Sequence, residues 1–349
     1  MNFMRFGISF SSGTTTYYFQ KKFSELDEVI QNRKSVFITD EHVFALYPHY
    51  FENRQFIVIQ AGEQTKTWSS VQTITEQLIK FEADRKTLLI GVGGGMITDI
   101  TGFAASIYMR GVSFGFVPTS LLAMVDASIG GKNGINFGLY KNMLGVIRQP
   151  VFIFYDVHFL ETLADEEWSN GFAEIIKYGC IFDSNLFSEV SDHNIEYYKK
   201  NTTAIQSLIQ KCVDWKNKTV VEDEHEKGTR KLLNFGHTVG HAIENRIQLS
   251  HGYAVSIGMM VASVVSESVT GFRPEMTELL KKVLQQYNLP TQSSFSTNEI
   301  MEVLKMDKKR DANSVDYILL KTIGRAVIKN IPFETIQQAL DLYNNAGNH

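Results

Sequence analysis

The chain has 349 residues, 44% of them apolar and 21% charged, enough to bury the cores of about two domains. A formal net charge of -4 with no run of like charge supplies neither the basic field that nucleic acid demands nor an interaction tail, so small-molecule partners are expected. The start Met1-Asn2-Phe3-Met4-Arg5 has no charged-then-apolar leader, no uninterrupted apolar run reaches about 18 residues, and Cys180 and Cys212 lack CxxC spacing; a cytoplasmic protein with reduced, packing thiols and no membrane partner is expected.

Residues 6–19 read as one or two strands about a Ser-Ser-Gly turn, and 21–31 as a short helix. Residues 35–40 form a compact apolar strand ending in a polar pair, 56–59 repeat it, 67–81 have the period of an amphipathic helix, and 87–92 are a third apolar strand. Strands alternating with helices predict a mostly parallel sheet, with ligands bound beyond the carboxyl ends of its strands. The glycines stand there: Gly91-Val92-Gly93-Gly94-Gly95-Met96-Ile97-Thr98-Asp99 follows the third strand and opens a helix over 97–109. Glycine at such a junction lets the backbone approach a phosphate, and the free N–H groups of a helix start favour its charge. Met96 replaces the third glycine of the dinucleotide fingerprint, so a plain tight turn is the competing reading. Asp99 either binds a sugar hydroxyl or favours the positive helix end.

Beyond Tyr108-Met109-Arg110-Gly111 come a strand over 114–117, Pro118-Thr119-Ser120, a helical 121–125 and Asp126. Gly130-Gly131-Lys132-Asn133-Gly134 and Tyr140-Lys141-Asn142-Met143 follow. Two lysines and an arginine among glycine, threonine and asparagine are poor core material and suit a polyanionic ligand, and the reading places them in loops.

From residue 157 the pattern turns almost wholly helical, relieved by one late strand over 317–320 and closed by a helix over 333–343. The shift near Asp156 is the expected boundary between an α/β domain, 1–156, and a mainly α-helical domain, 157–349. His237 and His241 stand four apart near a helix start, on one face, and Ser250 suits the N-cap of a second helix with His251 in its first turn. Three imidazoles thus converge in one helical hairpin. Imidazole is the commonest ligand for zinc-type metals, and catalytic sites add a carboxylate; surface or satisfied core histidines are the alternative. In Gly171-Phe172-Ala173-Glu174-Ile175-Ile176-Lys177 an i, i+3 salt bridge is the plain reading, and Glu174 is the candidate carboxylate. The acidic residues 222–226 read as solvated surface, with Glu226 nearest the histidines.

The chain carries, in order, Gly62-Glu63-Gln64-Thr65-Lys66, Gly93-Gly94-Gly95 with Asp99, Tyr108-Met109-Arg110-Gly111, Pro118-Thr119-Ser120, Asp126, Gly130-Gly131-Lys132, Lys141-Asn142-Met143, Ala173 to Lys177, Arg230 to Glu244, His251-Gly252 and Asp307-Lys308-Lys309. Over residues 62–326 the chain resembles the 3-dehydroquinate synthase family of sugar phosphate cyclases. The resemblance implies a Rossmann-like NAD-binding N-terminal domain and a helical metal-binding C-terminal domain, an active site in the cleft between them, and a homodimer. It implies zinc or cobalt on Glu174, His237 and His251, with His241 turned to the substrate. It implies Asp40, Glu63, Lys66, Gly94, Gly95, Asp99, Thr119, Ser120, Phe159 and Thr162 around NAD, and Lys132 and Lys141 bordering both cofactor and substrate. Asp126, Asn142, Lys177, Lys216, Arg230, Asn234 and His241 would then surround substrate, and Arg110 would reach a substrate phosphate across the dimer. The implied reaction converts 3-deoxy-D-arabino-heptulosonate 7-phosphate to 3-dehydroquinate and phosphate, a lyase step of the shikimate pathway to aromatic amino acids, with NAD recycled. Tyr253, Asn133 and Tyr140 replace the family's usual Glu, Thr and Gly, and no glycine follows Asp307-Lys308-Lys309. The rivals are a sister cyclase whose sugar phosphate lacks a carboxylate, an NAD- and metal-dependent alcohol dehydrogenase of the glycerol dehydrogenase type, and a non-catalytic relic. Lys216, Arg230 and Asn234 are the expected carboxylate receptor.

Overall fold

The computed structural model describes residues 5–138, 140–307 and 313–346; Lys308 and Lys309 lie outside the described residues. The chain forms two compact units, Met1–Ala164 with Thr202–His225, and Asp165–Asn201 with Glu226–His349.

In the first unit β1 (Arg5–Phe10) and β2 (Gly13–Tyr18) are followed by α1 (Leu26–Ile30), β3 (Ser35–Asp40), α2 (Glu41–Leu46), β4 (Gln55–Ile59), α3 (Trp68–Lys80), β5 (Leu88–Gly93), α4 (Gly95–Ile107) and β6 (Phe114–Pro118). A wide turn over Ala123–Ala127 leads to β7 (Lys132–Phe137), β8 (Tyr140–Ile147) and β9 (Phe152–Phe154). Seven strands form one sheet in the order β1-β2-β9-β6-β5-β3-β4. Only β1 runs antiparallel to its neighbour. Every residue of β5 is buried, as a parallel strand covered on both faces requires, which is why 87–92 reads as an unbroken apolar run.

β7 and β8 pair as a separate antiparallel hairpin. Lys132, Lys141 and Asn142 therefore lie on strands, not in loops. The glycine- and asparagine-rich text lacks a period of two because this ladder is defined by backbone pairing, with β8 largely exposed. The helix expected over 97–109 stops at Ile107, because Met109 (φ 49°) and Arg110 (φ 69°) adopt left-handed backbone.

In the second unit α5 (Asp165–Ile181), α6 (Ser184–Ser191) and α7 (Ile195–Lys200) come first, and α8 (Thr202–Glu222) then returns to the first unit. Where one boundary is expected at Asp156, the chain crosses after Ala164, Asn201 and His225. The reason is polar as well as apolar: the buried Tyr17 hydroxyl donates to Asn217 Oδ1 at 2.7 Å, and Lys216 Nζ donates to the Asp126 carbonyl at 2.6 Å.

α9 (His237–Ile247), α10 (His251–Thr270), α11 (Pro274–Gln286), α12 (Thr297–Asp307), the hairpin β10 (Ser314–Thr322) with β11 (Arg325–Pro332), and α13 (Phe333–Ala346) complete the second unit. By length and composition α10 could cross a membrane, but 72% of that stretch is buried, and it is the core helix on which α5, α9, α11, α13 and β10 pack. A Cβ on Gly258 would lie 1.9 Å from the Gly236 carbonyl oxygen. That backbone contact seats the start of α9, and His237 with it, against α10.

Candidate active site

Glu174 and Lys177 stand one turn apart on α5, both almost fully enclosed. A solvated i, i+3 pair would be weak; this one is an enclosed ion pair between Glu174 Oε2 and Lys177 Nζ. Burial works to raise the Glu174 carboxyl, and the Lys177 ammonium and His237 outweigh it and hold the group well below the usual carboxylate range. Its other oxygen, Oε1, lies 3.1 Å from His251 Nε2 and 3.4 Å from His237 Nε2. His237 opens α9 with Nδ1 3.1 Å from the Phe235 carbonyl, and His251 opens α10 with Nδ1 3.5 Å from Glu244 Oε2. An N–H at each Nδ1 serves those acceptors and leaves Nε2 as the nitrogen aimed at Glu174. Burial and then the Lys177 charge lower His237. Burial also opposes charge on His251, but Glu174 and Glu244 overcome it and raise its pKa to about 10.

The donor atoms of Glu174, His237 and His251 all lie within 4.8 Å of one another. One carboxylate and two imidazoles, each imidazole braced at its far nitrogen by an acceptor, is a donor set that fits zinc or cobalt. His241 sits one turn past His237 and is exposed, its ring 5.2 Å from that of His237 and 6.2 Å from that of His251. A second group, His241, Glu244 and His251, meets the same distance criterion, so His251 is common to both.

The expected dinucleotide residues fall at or just beyond the carboxyl ends of parallel strands. Asp40 ends β3, where its Oδ1 accepts the His42 and Val43 N–H groups at 3.0 Å and caps α2. Glu63 and Lys66 follow β4, Gly94 and Gly95 join β5 to α4, Thr119 and Ser120 follow β6, and Phe159 and Thr162 follow β9. β4 lies outside β3 while β6 lies outside β5, so the chain order reverses between β3 and β5 and opens the crevice that doubly wound sheets offer to dinucleotides. A Cβ on Gly94 would meet Ser120 Oγ at 3.3 Å, and one on Gly95 would meet Ala127 Cβ at 3.0 Å. This close-walled cradle at the start of a 13-residue helix fits a pyrophosphate. Asp99, raised by burial against the pull of Lys66, pairs with the Lys66 ammonium, which also donates to Asn142 Oδ1 at 2.6 Å.

Of the expected substrate residues, Arg110, Lys132, Lys141 and Asn142 are exposed on the first unit. Lys216 is buried there, its Nζ 2.9 Å from Asp126 Oδ1. Lys177, Arg230, Asn234 and His241 belong to the second unit. Arg230 is only 1% exposed. Glu226 accepts from Asn234 Nδ2 at 2.7 Å.

A family profile described as 3-dehydroquinate synthase N-terminal matches residues 56–170, and one described as 3-dehydroquinate synthase C-terminal matches residues 171–310. The chain belongs to the 3-dehydroquinate synthase family. It is 42% identical over 302 residues to the 3-dehydroquinate synthase of Methylacidiphilum infernorum, covering 85% of this chain and 82% of that one. To the 3-dehydroquinate synthase of Pyrococcus abyssi it is 41% identical over 287 residues, 81% and 84% of the two chains. Among solved structures it is similar to ValA, the 2-epi-5-epi-valiolone synthase from Streptomyces hygroscopicus subsp. jinggangensis 5008 with NAD+ and Zn2+ bound, at a TM-score of 0.84 and 26% identity over 91% of this chain and 93% of that one. It shares its fold with 2-deoxy-scyllo-inosose synthase complexed with carbaglucose-6-phosphate, NAD+ and Co2+, at a TM-score of 0.85 and 23% identity over 97% and 100% of the two chains.

In this dehydroquinate synthase family member the second unit also holds a cavity of about 310 Å³ beside His237, His241 and Asn234, walled in addition by Lys231, Thr238, Leu304, Asp316 and Ile318. Sequence reasoning misses these five. The partner of Lys231, Asp316 at 3.0 Å, comes from a strand far along the chain. Glu244, which faces His251, carried a usable signal: it stands three residues after His241 on the same helix face.

Proposed function

We infer that the protein is a 3-dehydroquinate synthase, a lyase that converts 3-deoxy-D-arabino-heptulosonate 7-phosphate to 3-dehydroquinate and phosphate with NAD and a divalent cation, zinc or cobalt. The observation that carries the reading is the enclosed group Glu174, His237 and His251, complete and braced, in a chain of this family. The NAD+ and Zn2+ bound by ValA support the same cofactors here.

When bound, NAD supplies a recycled hydride acceptor and the cation a Lewis acid. The chain's own groups do the holding and steering. Phe235 and Glu244 fix the imidazoles, and Lys177 keeps Glu174 ionised. Gly94, Gly95 and the first N–H groups of α4 take the pyrophosphate, with Asp40, Glu63, Asp99, Thr119, Ser120, Phe159 and Thr162 around the rest of the dinucleotide. His241 faces the substrate, where an imidazole can move a proton near neutral pH. Lys132, Lys141, Asn142 and Arg110 supply donors and charge for a phosphate that leaves by elimination. Lys216, oriented by Asp126, joins Arg230 and Asn234 in receiving the carboxylate; a planar guanidinium grips one through two parallel hydrogen bonds.

A small neutral alcohol would make little use of these cations, which disfavours the dehydrogenase reading. A sister cyclase acts on a sugar phosphate without the carboxylate that Arg230 is suited to grip, which disfavours that reading. The protein works in the cytoplasm as a homodimer, with Arg110 serving the opposite protomer; the exposed Ile107 and Met109 beside it suit a subunit contact.

The test is incubation with the heptulosonate phosphate, catalytic NAD and Zn2+ or Co2+, following phosphate beside NADH. Many phosphates per NAD without NADH accumulation are expected. NADH rising in step with product makes the protein a dehydrogenase, and equal turnover of a carboxylate-free sugar phosphate makes it a sister cyclase.

A further inference from the structure

We propose that Asn170 is a positioning residue of the metal group: its side-chain amide sets the first turn of α10 against α5 and so keeps His251 in register with Glu174. The proposal rests on the metal reading above. A helix start leaves its first N–H groups without intrahelical partners, and Ser250, the N-cap residue of α10, is of a type that normally serves them. Here its hydroxyl makes no capping bond, and Ser250 Oγ is buried without a hydrogen-bond partner. The service comes from another helix: Gly252 N–H donates to Asn170 Oδ1 at 3.0 Å. Asn170 is 3% exposed, and its Nδ2 faces Glu167 Oε1 at 3.4 Å, which turns the amide oxygen toward α10.

Asn170 and Glu174 are four apart on α5 and share a face. They grip successive residues of α10, Asn170 the Gly252 backbone and Glu174 Oε1 the His251 Nε2 at 3.1 Å. Nothing larger than hydrogen fits between: a Cβ on Gly252 would lie 2.5 Å from Asn170 Cα and 2.9 Å from its carbonyl oxygen. The two helices are therefore locked at backbone contact one residue from a metal ligand. A shift of α10 along α5 moves His251 while leaving Glu174 in place.

The experiment is titration of the full-length, metal-free protein with Co2+ alone, read by dissociation constant and by the visible d–d bands, for the unmutated chain, Asn170→Leu, Asn170→Asp, Gly252→Ala and Glu174→Gln. Asn170→Leu is expected to weaken Co2+ by about 10- to 100-fold, the usual range for losing a group that braces a ligand, and to alter the d–d bands while NAD binding is kept. Asn170→Asp, which retains an acceptor oxygen, is expected to recover most of the affinity. Unchanged affinity and bands in Asn170→Leu, or equal losses in the leucine and aspartate variants, overturn the proposal. If Asn170→Leu does not fold, Gly252→Ala carries the test, because it keeps the N–H and separates the helices: weakened Co2+ binding supports the proposal and unchanged binding overturns it. Undiminished binding by Glu174→Gln would instead sink the metal reading itself.

Discussion

Two three-residue groups share His251, and a cation that takes one gives up the other; Glu174→Gln separates them with almost no change of shape. The substitution exchanges a charged oxygen for an amide at a site that is completely enclosed, whereas His241 is exposed. In the metal-free protein, the 3.1 Å contact of Glu174 with His251 represents about 5 kcal/mol of attraction at an effective dielectric near 20. Lys177 loses its carboxylate partner in the same step. Removing one member of a buried pair costs roughly 3–5 kcal/mol, so urea denaturation of the metal-free variant should show a loss of that size. For the cation, losing a ligand must exceed the loss of a brace, so Zn2+ competition titration should show at least about a 100-fold weaker complex for Glu174→Gln and for His237→Ala. Glu244→Gln, which loosens only the far nitrogen of His251, should cost about 10-fold, and His241→Ala no more than about threefold. Undiminished Zn2+ binding by Glu174→Gln together with loss in His241→Ala would place the cation on the outer group and refute the reasoning.

Other expectations follow from single contacts. Tyr17→Phe should destabilise by about 1–3 kcal/mol because it leaves the buried Asn217 Oδ1 without its donor, and Tyr17→Phe with Asn217→Leu should cost less than the sum; urea melts giving a coupling energy indistinguishable from zero would mean that α8 is not docked by this bond. Burial works to raise Glu224, but hydrogen bonds from Ser11 N–H at 2.9 Å and Gln149 Nε2 at 3.0 Å prevail and lower it. Its stabilisation is thus present above the unfolded glutamate pKa of about 4.3 and lost as pH falls through the lower folded value. The stability gap between the unmutated chain and Glu224→Gln should accordingly be widest near pH 7 and close in acid; a gap independent of pH would contradict this. Arg230→Ala should abolish most turnover of the heptulosonate phosphate while equilibrium dialysis still finds NAD and Zn2+ bound, and retained turnover would remove Arg230 from the carboxylate receptor.

What the residues alone announced was whatever depends on near neighbours in the chain. The parallel strands at 35–40 and 87–92 are readable because burial on both faces demands an unbroken apolar run, and the glycine turn at 93–95 because glycine must stand where backbone meets close neighbours. His237 and His241 share a face through helical period, visible in any text with that spacing. The period cannot say which ring meets a carboxylate. That choice was made by α5, which brings Glu174 to His251 across 77 residues, and by Phe235 and Glu244, which aim the two Nε2 atoms. The β7 and β8 hairpin stayed hidden because its glycines and asparagines carry no apolar alternation and β8 is largely exposed. α8 has an apolar face like its helical neighbours, and distant partners, Tyr17 for Asn217 across 200 residues and Asp126 for Lys216, assign that face to the sheet unit. Ser250 has the composition of a cap, but Asn170 reaches the same helix start from α5. Period, turn and cap preferences act over a few residues, whereas the partner of a buried polar group is chosen by which distant surface closes around it, and that information exists only once the chain has packed.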